Sequence, residues 1–259
     1  QKAGYTVDWD VFTASDYGVP QKRERVFVFG ALDGDVSGLR PRKFPEAPTV
    51  KDALGDLPDA DRFPELAERD WANASKCPPQ NRYQRIMRGL EKASGDFHLP
   101  RALSDDMLTS SMRTKHTRKS VERFAATPPG QVEKVSRFLR LHPDGLCNTL
   151  RAGTDKKRGA HTAPRPIHPT LDRVITVREA ARLHSIPDWF RLHRTKWQGF
   201  RQIGNSVPPM MAWAIGSMLR RTASATEPEV PSDRMPLGNE ETLTWTGSQA
   251  DACWRASNR

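Results

Sequence analysis

The chain has 259 residues, of which 36% are hydrophobic and 28% are charged. That is enough apolar material for one or two domains with a core, so wholesale disorder is not expected. No stretch approaches the roughly 18 consecutive apolar residues that a membrane-spanning helix needs, and the first residues lack the long apolar segment of a signal peptide. We therefore expect a soluble, non-secreted, cytoplasmic protein.

The three cysteines, Cys77, Cys147 and Cys253, are too few and too scattered for a disulfide framework. None belongs to a Cys-x-x-Cys pair, so we expect no metal and a reducing compartment. The first residue is Gln1 rather than Met, which indicates a processed chain, a trimmed chain or a partial gene product.

The formal net charge is +10, and it is unevenly spread. Residues 223–259 hold six acids and three bases, so they carry −3 and residues 1–222 carry +13. A body this basic attracts polyanions, of which nucleic acid is the commonest. The alternative is a solvated basic surface without a ligand, and charge alone does not decide between the two.

The chain opens with two predicted strands. From Tyr5 to Val11 apolar and polar residues alternate, which predicts a half-buried strand with Tyr5, Val7, Trp9 and Val11 on one face. A turn-like segment follows, and the apolar run over 25–30 predicts a strand covered on both faces. Two strands do not make a stable sheet alone, so we expect them to belong to a larger one.

The middle of the chain, about 41–169, is rich in proline and loose in pattern. It holds two basic clusters, the second in a glycine-bearing segment, 153–159, that indicates a flexible loop. The clusters are Arg113, Lys115, His116, Arg118 and Lys119, then Arg151, Lys156, Lys157 and Arg158.

Helical periodicity returns at Thr176, where Thr176 and Glu179 form a capping box. We expect this helix to run to about His184 and to be structural, with its Arg182 paired to Glu179 inside the helix. The alternative is that Arg178 and Arg182 meet phosphate. His168 and His184 are expected to be packing or hydrogen-bonding residues.

A second helix is predicted from about Pro208, since proline is tolerated in a first turn. It carries one apolar stripe, formed by Met211, Ala214, Ile215, Met218 and Leu219. Beyond Thr222 the composition predicts a disordered tail with at most a short contact at Trp245 or Trp254.

Three segments together resemble the DNA cytosine-C5 methyltransferases. Residues 16–27 contain Gln21-Lys22-Arg23-Glu24-Arg25, which is similar to the Gln-x-Arg-x-Arg motif of that family. Residues 168–188 resemble its ninth motif and residues 202–209, with Gly204-Asn205-Ser206-Val207, its tenth. The resemblance covers residues 1 to about 222.

The resemblance implies an α/β fold: the C-terminal part of a Rossmann-like S-adenosylmethionine-dependent methyltransferase domain plus a loop-rich mixed target recognition domain. Residues 1–40 would be the last strands of the catalytic sheet and 41–166 the target recognition domain. Residues 167–222 would be helices that return to the catalytic domain, and 223–259 the tail.

The resemblance also implies a chemistry. Enzymes of this family flip cytosine out of the duplex, add a cysteine thiolate to C6 and transfer a methyl group from S-adenosylmethionine to C5. Negative charge that develops toward O2 and N3 suits an arginine. By similarity Arg25 holds cytosine O2, while Arg23 supports the site or a phosphate. The alternative is two arginines in surface ion pairs with Glu24 or Asp16.

The tenth-motif segment implies a cofactor contact. Asn205 and Ser206 are expected just before a helix N-terminus, where short polar side chains cap and free N–H groups favour an anion. By resemblance Asn205, Ser206 and Val207 line the methionine end of S-adenosylmethionine. An ordinary helix cap without a ligand explains the same side chains.

Double-stranded DNA is the partner that the resemblance implies. Thr149-Leu150 resembles the dipeptide that closes the recognition region, and the basic clusters would touch the backbone. The alternative for each cluster is a solvated loop. The predicted DNA-binding residues are Thr149, Leu150, Arg151, Lys156, Lys157, Arg158, Arg113, Lys115, Arg118 and Lys119.

Earlier motifs of the family are absent from this sequence: a Phe-x-Gly-x-Gly cofactor loop, a Pro-Cys-Gln nucleophile loop and a Glu-Asn-Val strand. Cys77 precedes Pro78-Pro79-Gln80, which is the wrong order. We therefore expect the C-terminal portion of a methyltransferase, inactive alone and completed by an N-terminal polypeptide, with the opening strands and the last helix stripe exposed. The alternatives are a DNA-binding module and an inactive remnant.

Overall fold

The computed structural model describes residues 3–75, 77–92, 106–153, 165–226, 236 and 238–257. None of the helices in this described part is long and apolar enough to cross a membrane. The strands and helices, in chain order, are β1 (Thr6–Thr13), β2 (Glu24–Ala31), α1 (Val50–Leu54), β3 (Ala72–Asn73), α2 (Arg82–Met87), β4 (Met107–Leu108), α3 (Arg118–Ala125), α4 (Val177–Leu183), α5 (Lys196–Asn205), α6 (Pro209–Thr222) and α7 (Gly247–Ser257).

Strands β1 and β2 form an antiparallel hairpin, with Trp9 opposite Val28 and Phe12 opposite Arg25. A single 3-10 turn, Ala14–Tyr17, joins them and ends at Gly18 with φ +76°. A Cβ at Gly18 would lie 2.9 Å from the methyl carbon of Met210. Glycine therefore provides both the left-handed backbone and the close approach of the α6 start.

The two faces of the hairpin are unequally covered. Phe12 and Phe29, on one face, are each 5% exposed. The opposite face carries six large apolar residues of the two predicted strands, and these are 43–66% exposed. They are Tyr5, Val7, Trp9, Val11, Val26 and Val28. The prediction that β2 is covered on both faces is wrong, because α6 covers only one face and no other described element covers the second.

Helix α6 packs on the covered face of the hairpin. It begins at Pro209 with Pro208 as the N-cap residue, close to the predicted start. Its stripe residues from Met211 to Met218 are at most 6% exposed and join Tyr17 and Val19 in one cluster, whereas Leu219 is 42% exposed. The stripe is therefore confirmed, and the expectation that it stays exposed is wrong.

A second cluster forms the main core of the chain. It joins α1, α2, the segment around Leu141–Leu150, α4 and α5. Residues on both sides of the predicted boundary at 166 and 167 thus share one core, although the domain limits themselves stay predictions. A smaller cluster surrounds Leu66 and the short pair β3–β4.

Helix α4 begins with the predicted capping box. The Thr176 hydroxyl accepts a hydrogen bond from the Glu179 N–H at 3.1 Å, and the Glu179 carboxylate accepts from the Thr176 N–H at 2.7 Å. This geometry turns the Glu179 carboxylate toward the helix start, where Arg173 donates to it at 2.8 Å. The predicted intrahelical pair of Glu179 with Arg182 is wrong for this reason.

Arg178 and Arg182 of α4 are both buried, at 1% and 0% exposed, which rules out the phosphate alternative. Arg182 donates to Asp188 at 2.6 Å and to Asp56 at 2.9 Å. Asp56 follows α1, so this charged cluster fixes α4 against the segment that contains α1 and confirms a structural role.

Ser185 lies two residues after the end of α4 and has φ +57° although it is not a glycine. The Ser185 hydroxyl accepts a hydrogen bond from the backbone N–H of Met210 at 3.2 Å. Pro208, the N-cap residue of α6, makes no side-chain capping bond. Ser185 therefore caps α6 from a distance, which offsets the cost of its left-handed backbone.

Replacing this capping hydroxyl should lower stability. In Ser185→Ala the strained backbone remains and the Met210 N–H loses its partner, so we expect a loss of about 1 to 2 kcal/mol in the free energy of unfolding. Urea unfolding of the purified chain measures it. Ser224→Ala is the matched control, because Ser224 has φ +50° but is exposed. Equal losses in both variants would contradict the capping role.

The tail differs from its prediction. Residues Glu240–Thr244 form a 3-10 turn and α7 follows, with Trp254 67% exposed. Arg191 pairs with the Glu240 carboxylate, and the Arg194 N–H donates to the Leu243 carbonyl at 3.1 Å. The acidic tail therefore contacts the body through a basic segment ahead of α5, and this contact includes a hydrogen bond between His193 and the Trp245 backbone, close to one of the two predicted positions.

Candidate active-site cleft

Three segments that are far apart in the sequence meet at one cleft of about 640 Å³. They are the strand ends with the Gln-x-Arg-x-Arg segment, the Thr-Leu segment and the end of α5. The cleft is lined by Thr13, Lys22, Glu24, Arg25, Thr149, Arg151, Ala152, Gly204 and Asn205. Two of the three segments of the predicted methyltransferase pattern, the first and the last, thus lie side by side.

Arg25 lies half-buried in this cleft at the start of β2. One of its terminal nitrogens donates to the Glu24 carbonyl at 2.7 Å, which orients the guanidinium and leaves other N–H donors. Burial lowers the pKa of Arg25. The alternative ion pair with Asp16 is not formed, since Asp16 pairs with Lys43 at 2.7 Å. The position suits a cationic donor aimed at a ligand.

Arg23 has a different role from Arg25. It is 0% exposed, and its guanidinium donates to the carbonyls of Leu150, Gly204 and Ser206 at 2.8, 2.6 and 3.0 Å. Direct contact with a phosphate is therefore ruled out in this structure. Arg23 instead joins β2, the Thr-Leu segment and the turn after α5, so it supports the walls of the cleft.

Gln21 and His184 complete this support. The Gln21 amide donates to the Leu183 carbonyl at 3.1 Å and contacts the His184 Nδ1 at 3.2 Å, while its oxygen accepts from the Leu150 N–H at 3.2 Å. The His184 Nε2 lies 3.3 Å from the Ser206 carbonyl. His184 is thus a hydrogen-bonding residue, as predicted, and it links α4 to the turn after α5.

Burial lowers the pKa of His184 to about 4, below its usual 6.5, so the imidazole is neutral at pH 7. The unfolded chain binds a proton below about pH 6.5 that the folded chain does not bind until about pH 4. Stability therefore falls as the pH drops through this window, by about 2 kcal/mol from this group at pH 5.

The variant His184→Gln tests this pH dependence, since a glutamine can donate to Ser206 and accept from Gln21 without titrating. We expect the unfolding free energy of His184→Gln to fall less between pH 7 and pH 5 than that of the native chain. Urea unfolding at both pH values measures the difference, and His142→Gln, at an exposed histidine, is the control. Identical pH slopes for His184→Gln and the native chain would contradict the buried neutral state.

Gly204, in the last turn of α5, allows the end of this helix to approach the Thr-Leu segment. A Cβ at this position would lie 2.2 Å from the Ala152 nitrogen and 2.5 Å from the Arg151 carbonyl carbon. Both are backbone atoms that cannot rotate away. Glycine is therefore required here for the two walls of the cleft to meet.

The residues predicted to contact the cofactor do not precede a helix N-terminus directly. Asn205 is the last residue of α5, and the Ser206 hydroxyl donates to the Ile203 carbonyl at 2.9 Å. The expected capping role is wrong because α6 starts later, at Pro209 with Pro208 as its N-cap residue, and neither proline has an N–H group. The first N–H group of α6, that of Met210, already donates to the Ser185 hydroxyl.

Ser206 and Val207 instead line a second, mainly apolar cavity of about 540 Å³. Its walls include the aromatic residues Trp189, Phe190 and Trp213. Asn205 faces the first cleft and Ser206 the second, so the turn over 204–206 separates the two.

The predicted DNA-binding residues fall into distinct environments. Thr149 and Arg151 line the cleft, whereas Leu150 is 0% exposed and reaches no ligand with its side chain. Arg113 pairs with Asp61 and Arg118 with Glu122, each at 2.9 Å. Lys115 and Lys119 are exposed, and Lys156, Lys157 and Arg158 lie outside the described residues.

None of the cysteines lines the cleft. Cys147 is buried, and burial raises the pKa of its thiol, so it is not an available nucleophile. Cys77 and Cys253 are exposed. The described part of the chain has no group of three His, Cys, Asp or Glu side chains that could hold a metal ion.

The family model for C-5 cytosine-specific DNA methylases matches residues 1–221. The chain belongs to this family. Such enzymes methylate DNA with S-adenosylmethionine as the methyl donor. The match begins at the first residue and leaves the tail outside, and it does not establish that the chain is a C-terminal portion.

Individual relatives agree with the family. The chain is 50% identical to the type II methyltransferase M.XorII of Xanthomonas oryzae pv. oryzae, over 100% of this chain and 61% of that protein. It is 29% identical to the type II methyltransferase M.AgeI of Thalassovita gelatinovora, over 84% of this chain and 66% of that protein.

A solved structure of a DNA modification methyltransferase encoded within a prophage of E. coli has a TM-score of 0.66 to this chain at 33% identity. It confirms the mixed α/β methyltransferase fold. The alignment covers 86% of this chain and 62% of that one, so the chain spans less than two-thirds of the length of each of these three relatives. None of these matches supports a separate complementary polypeptide.

Sequence reasoning missed several parts of the site. Helix α5 was not predicted, although Thr195 caps it and Phe200 and Ile203 are buried three residues apart on its inner face. Gln21 and Lys22 were recognised only as members of the Gln-x-Arg-x-Arg motif, and no role was predicted for either. The spacing of Phe200 and Ile203 was the available signal for a helix, but the two glycines of α5, Gly199 and Gly204, weakened it.

Proposed function

We propose that this chain acts in the methylation of cytosine C5 in DNA by binding duplex DNA, recognising its target and holding the flipped cytosine. The observation that carries the proposal is the cleft, in which Arg25 lies beside Thr149, Arg151 and the turn after α5. A cleft of about 640 Å³ is within the size range of ligand sites and has room for one nucleotide.

Arg25 is the residue that we assign to cytosine O2. When a thiolate adds to C6, negative charge develops on the ring toward O2 and N3. A half-buried guanidinium with free N–H donors stabilises this charge more strongly than a hydrated one, because its dipoles are already oriented. Arg23 supports this donor through the three carbonyls of the cleft walls.

The turn over 205–207 fits a cofactor that lies against the base. The Ser206 backbone is fixed by Arg23 and His184, and Val207 is 39% exposed at an apolar cavity of about 540 Å³. A cavity of this size and character suits the adenosyl and methionine parts of S-adenosylmethionine. When bound, the cofactor supplies the methyl group, and Asn205, Ser206 and Val207 would hold its methionine end.

Target recognition is assigned to residues 41–166. Contacts to the DNA backbone would come from Thr149 and Arg151 in the cleft and from the exposed Lys115 and Lys119. Lys156, Lys157 and Arg158 complete the proposed set. Arg113 and Arg118 would have to exchange their carboxylate partners for phosphate, so we rank them below the others.

The attacking thiolate would come from sequence outside this chain, because the three cysteines do not line the cleft. The chain alone would then be inactive. The exposed apolar face of the hairpin offers the surface on which the rest of a methyltransferase sheet would pack, since contiguous exposed apolar residues mark an interface.

Complementation tests this proposal. The purified chain is incubated with duplex DNA and S-adenosylmethionine labelled in its methyl group, with and without the part of the Xanthomonas M.XorII relative that it does not cover. We expect label in DNA only from the mixture. Label transferred by the chain alone, or never by the mixture although both parts are folded and bind each other, would contradict the proposal.

The second candidate function is a DNA-binding module without catalysis. It is favoured by the absence of a cysteine from the cleft together with the charge of +13 on residues 1–222. DNA binding without any restored methyl transfer would identify it.

A further inference from the structure

The rim of the cleft carries cations that have no carboxylate partner among the residues that the structure describes. Lys22 and Arg151 line the cleft with exposed side chains, next to the half-buried Arg25. Neither Lys22 nor Arg151 forms an ion pair with any residue that the structure describes. Glu24 is the one acid among the lining residues, so positive charge predominates at the mouth.

A further cation extends this row along α5. Arg201 and Asn205 are four residues apart, so they lie on the same face of the helix, one turn from each other. Asn205 lines the cleft and Arg201 is exposed. Arg201 also has no ion pair within the described residues. The helix therefore places Arg201 just outside the cleft mouth.

Some exposed arginines elsewhere have carboxylate partners. Arg118 pairs with Glu122, and Arg82 pairs with Glu91 at 2.6 Å. Bringing several like charges together without counter-ions is unfavourable, whereas an anion placed among them relieves the repulsion. An anion at the cleft mouth would therefore relieve the repulsion within this row of cations.

The backbone beneath Lys22 is held rigidly. The Lys22 N–H donates to the Cys147 carbonyl at 2.8 Å, and the Thr149 hydroxyl donates to the Lys22 carbonyl at 2.5 Å. Lys22 and the Thr-Leu segment are therefore one unit. Arg201 is on the other side of the cleft, on the helix that ends in the turn fixed by Arg23.

We propose that Lys22 and Arg201 are phosphate-binding residues that, together with Arg151, hold the DNA strand on both sides of the nucleotide that enters the cleft. This inference rests on the proposed function and adds two residues to its DNA contacts. Both are positioning residues: contacts to phosphate fix where the strand lies and carry no sequence information.

The salt dependence of DNA binding tests the inference. Equilibrium binding of a fluorescent duplex to the chain is measured between 50 and 200 mM salt for Lys22→Ala and Arg201→Ala. Each lost phosphate contact should reduce the slope of log affinity against log salt by about 0.9, which is about a 3-fold smaller loss of affinity over this range. The reduction should be the same for two duplexes of unrelated sequence.

Arg82→Ala is the matched control, since it removes one positive charge from a guanidinium that is paired with Glu91 on another part of the surface. It should leave the slope unchanged. Lys22→Arg should keep the native slope, because the charge remains. Circular dichroism checks that each variant is folded.

Native slopes in Lys22→Ala and Arg201→Ala, with a steep slope in the native chain, would overturn this inference and leave the proposed function intact. A slope that falls equally in Arg82→Ala would also overturn it, because the effect would then be one of net charge. A native chain that binds no DNA would contradict the proposed function and this inference together.

Discussion

Arg25→Ala should reduce methyl transfer by the complemented enzyme about 100-fold to 1000-fold, as expected when one preorganised donor to a developing oxyanion is removed. The reason is that the guanidinium stabilises negative charge, and this charge develops on the cytosine ring only when the thiolate adds to C6. DNA affinity should change little, since phosphate contacts by other residues dominate it. Single-turnover transfer of labelled methyl groups and equilibrium DNA binding measure the two effects.

Arg25→Lys separates charge from shape in this prediction. Lysine keeps the cation but loses the planar fork that the Glu24 carbonyl orients, so we expect partial recovery at most. Glu24→Gln is the control for a change at the cleft wall. Turnover by Arg25→Ala equal to that of the unmodified complemented enzyme would refute the assignment of Arg25 to cytosine O2.

Arg182→Met should destabilise the fold by about 3 kcal/mol or more, because it leaves two buried carboxylates without their main partner. Arg182, Asp56 and Asp188 are each at most 2% exposed. Burial lowers the pKa of Arg182, but Asp188 and Asp56 outweigh this effect and the pKa is raised overall. Arg88 lies 3.6 Å from Asp56, so in Arg182→Met it still compensates part of the Asp56 charge.

Urea unfolding of the purified chain measures this loss. Arg82→Met is the matched control, since its pair with Glu91 is largely solvent-exposed and such pairs contribute at most about 1 kcal/mol. The double variant Asp56→Asn with Arg182→Met should recover part of the stability, because one unpaired charge is removed. A loss in Arg182→Met no larger than in Arg82→Met would contradict the role of the buried cluster.

Local signals in the sequence predicted local structure well. The capping box at Thr176 and Glu179 is formed as expected, since both partners are three residues apart and need no tertiary contact. The apolar stripe of α6 also lies on one face of the helix as predicted, because its period is set within that helix, although its burial against the hairpin was not predicted. The family resemblance, carried by three short motifs, is confirmed by the match to residues 1–221.

What the sequence did not predict depends on tertiary partners. Alternation along β1 shows that the two faces differ but not which one is covered, and here Phe12, at the end of the strand, marks the buried face. Arg182 has a plausible partner at Glu179 by spacing, yet its carboxylates are Asp56, far away in the sequence, and Asp188 after the helix.

The site shows the same limit. The motif suggested that Arg23 and Arg25 act together, but their surroundings differ: the Arg23 guanidinium is buried among backbone carbonyls, whereas Arg25 lines the cleft. The basic clusters of the recognition region predicted DNA contacts, yet Arg113 and Arg118 have carboxylate partners. Partners of this kind are visible only once the chain is folded.

The source of the attacking sulfur is the point on which the proposed mechanism depends most. A duplex with 5-fluorocytosine at the target base traps the covalent adduct, because fluorine on C5 cannot leave as a proton does after methyl transfer. The trapped adduct from the complemented enzyme is digested, and the modified peptide is identified by mass spectrometry. We predict a cysteine from outside this chain, whereas an adduct on Cys77, Cys147 or Cys253 would contradict the division of roles proposed for the two parts.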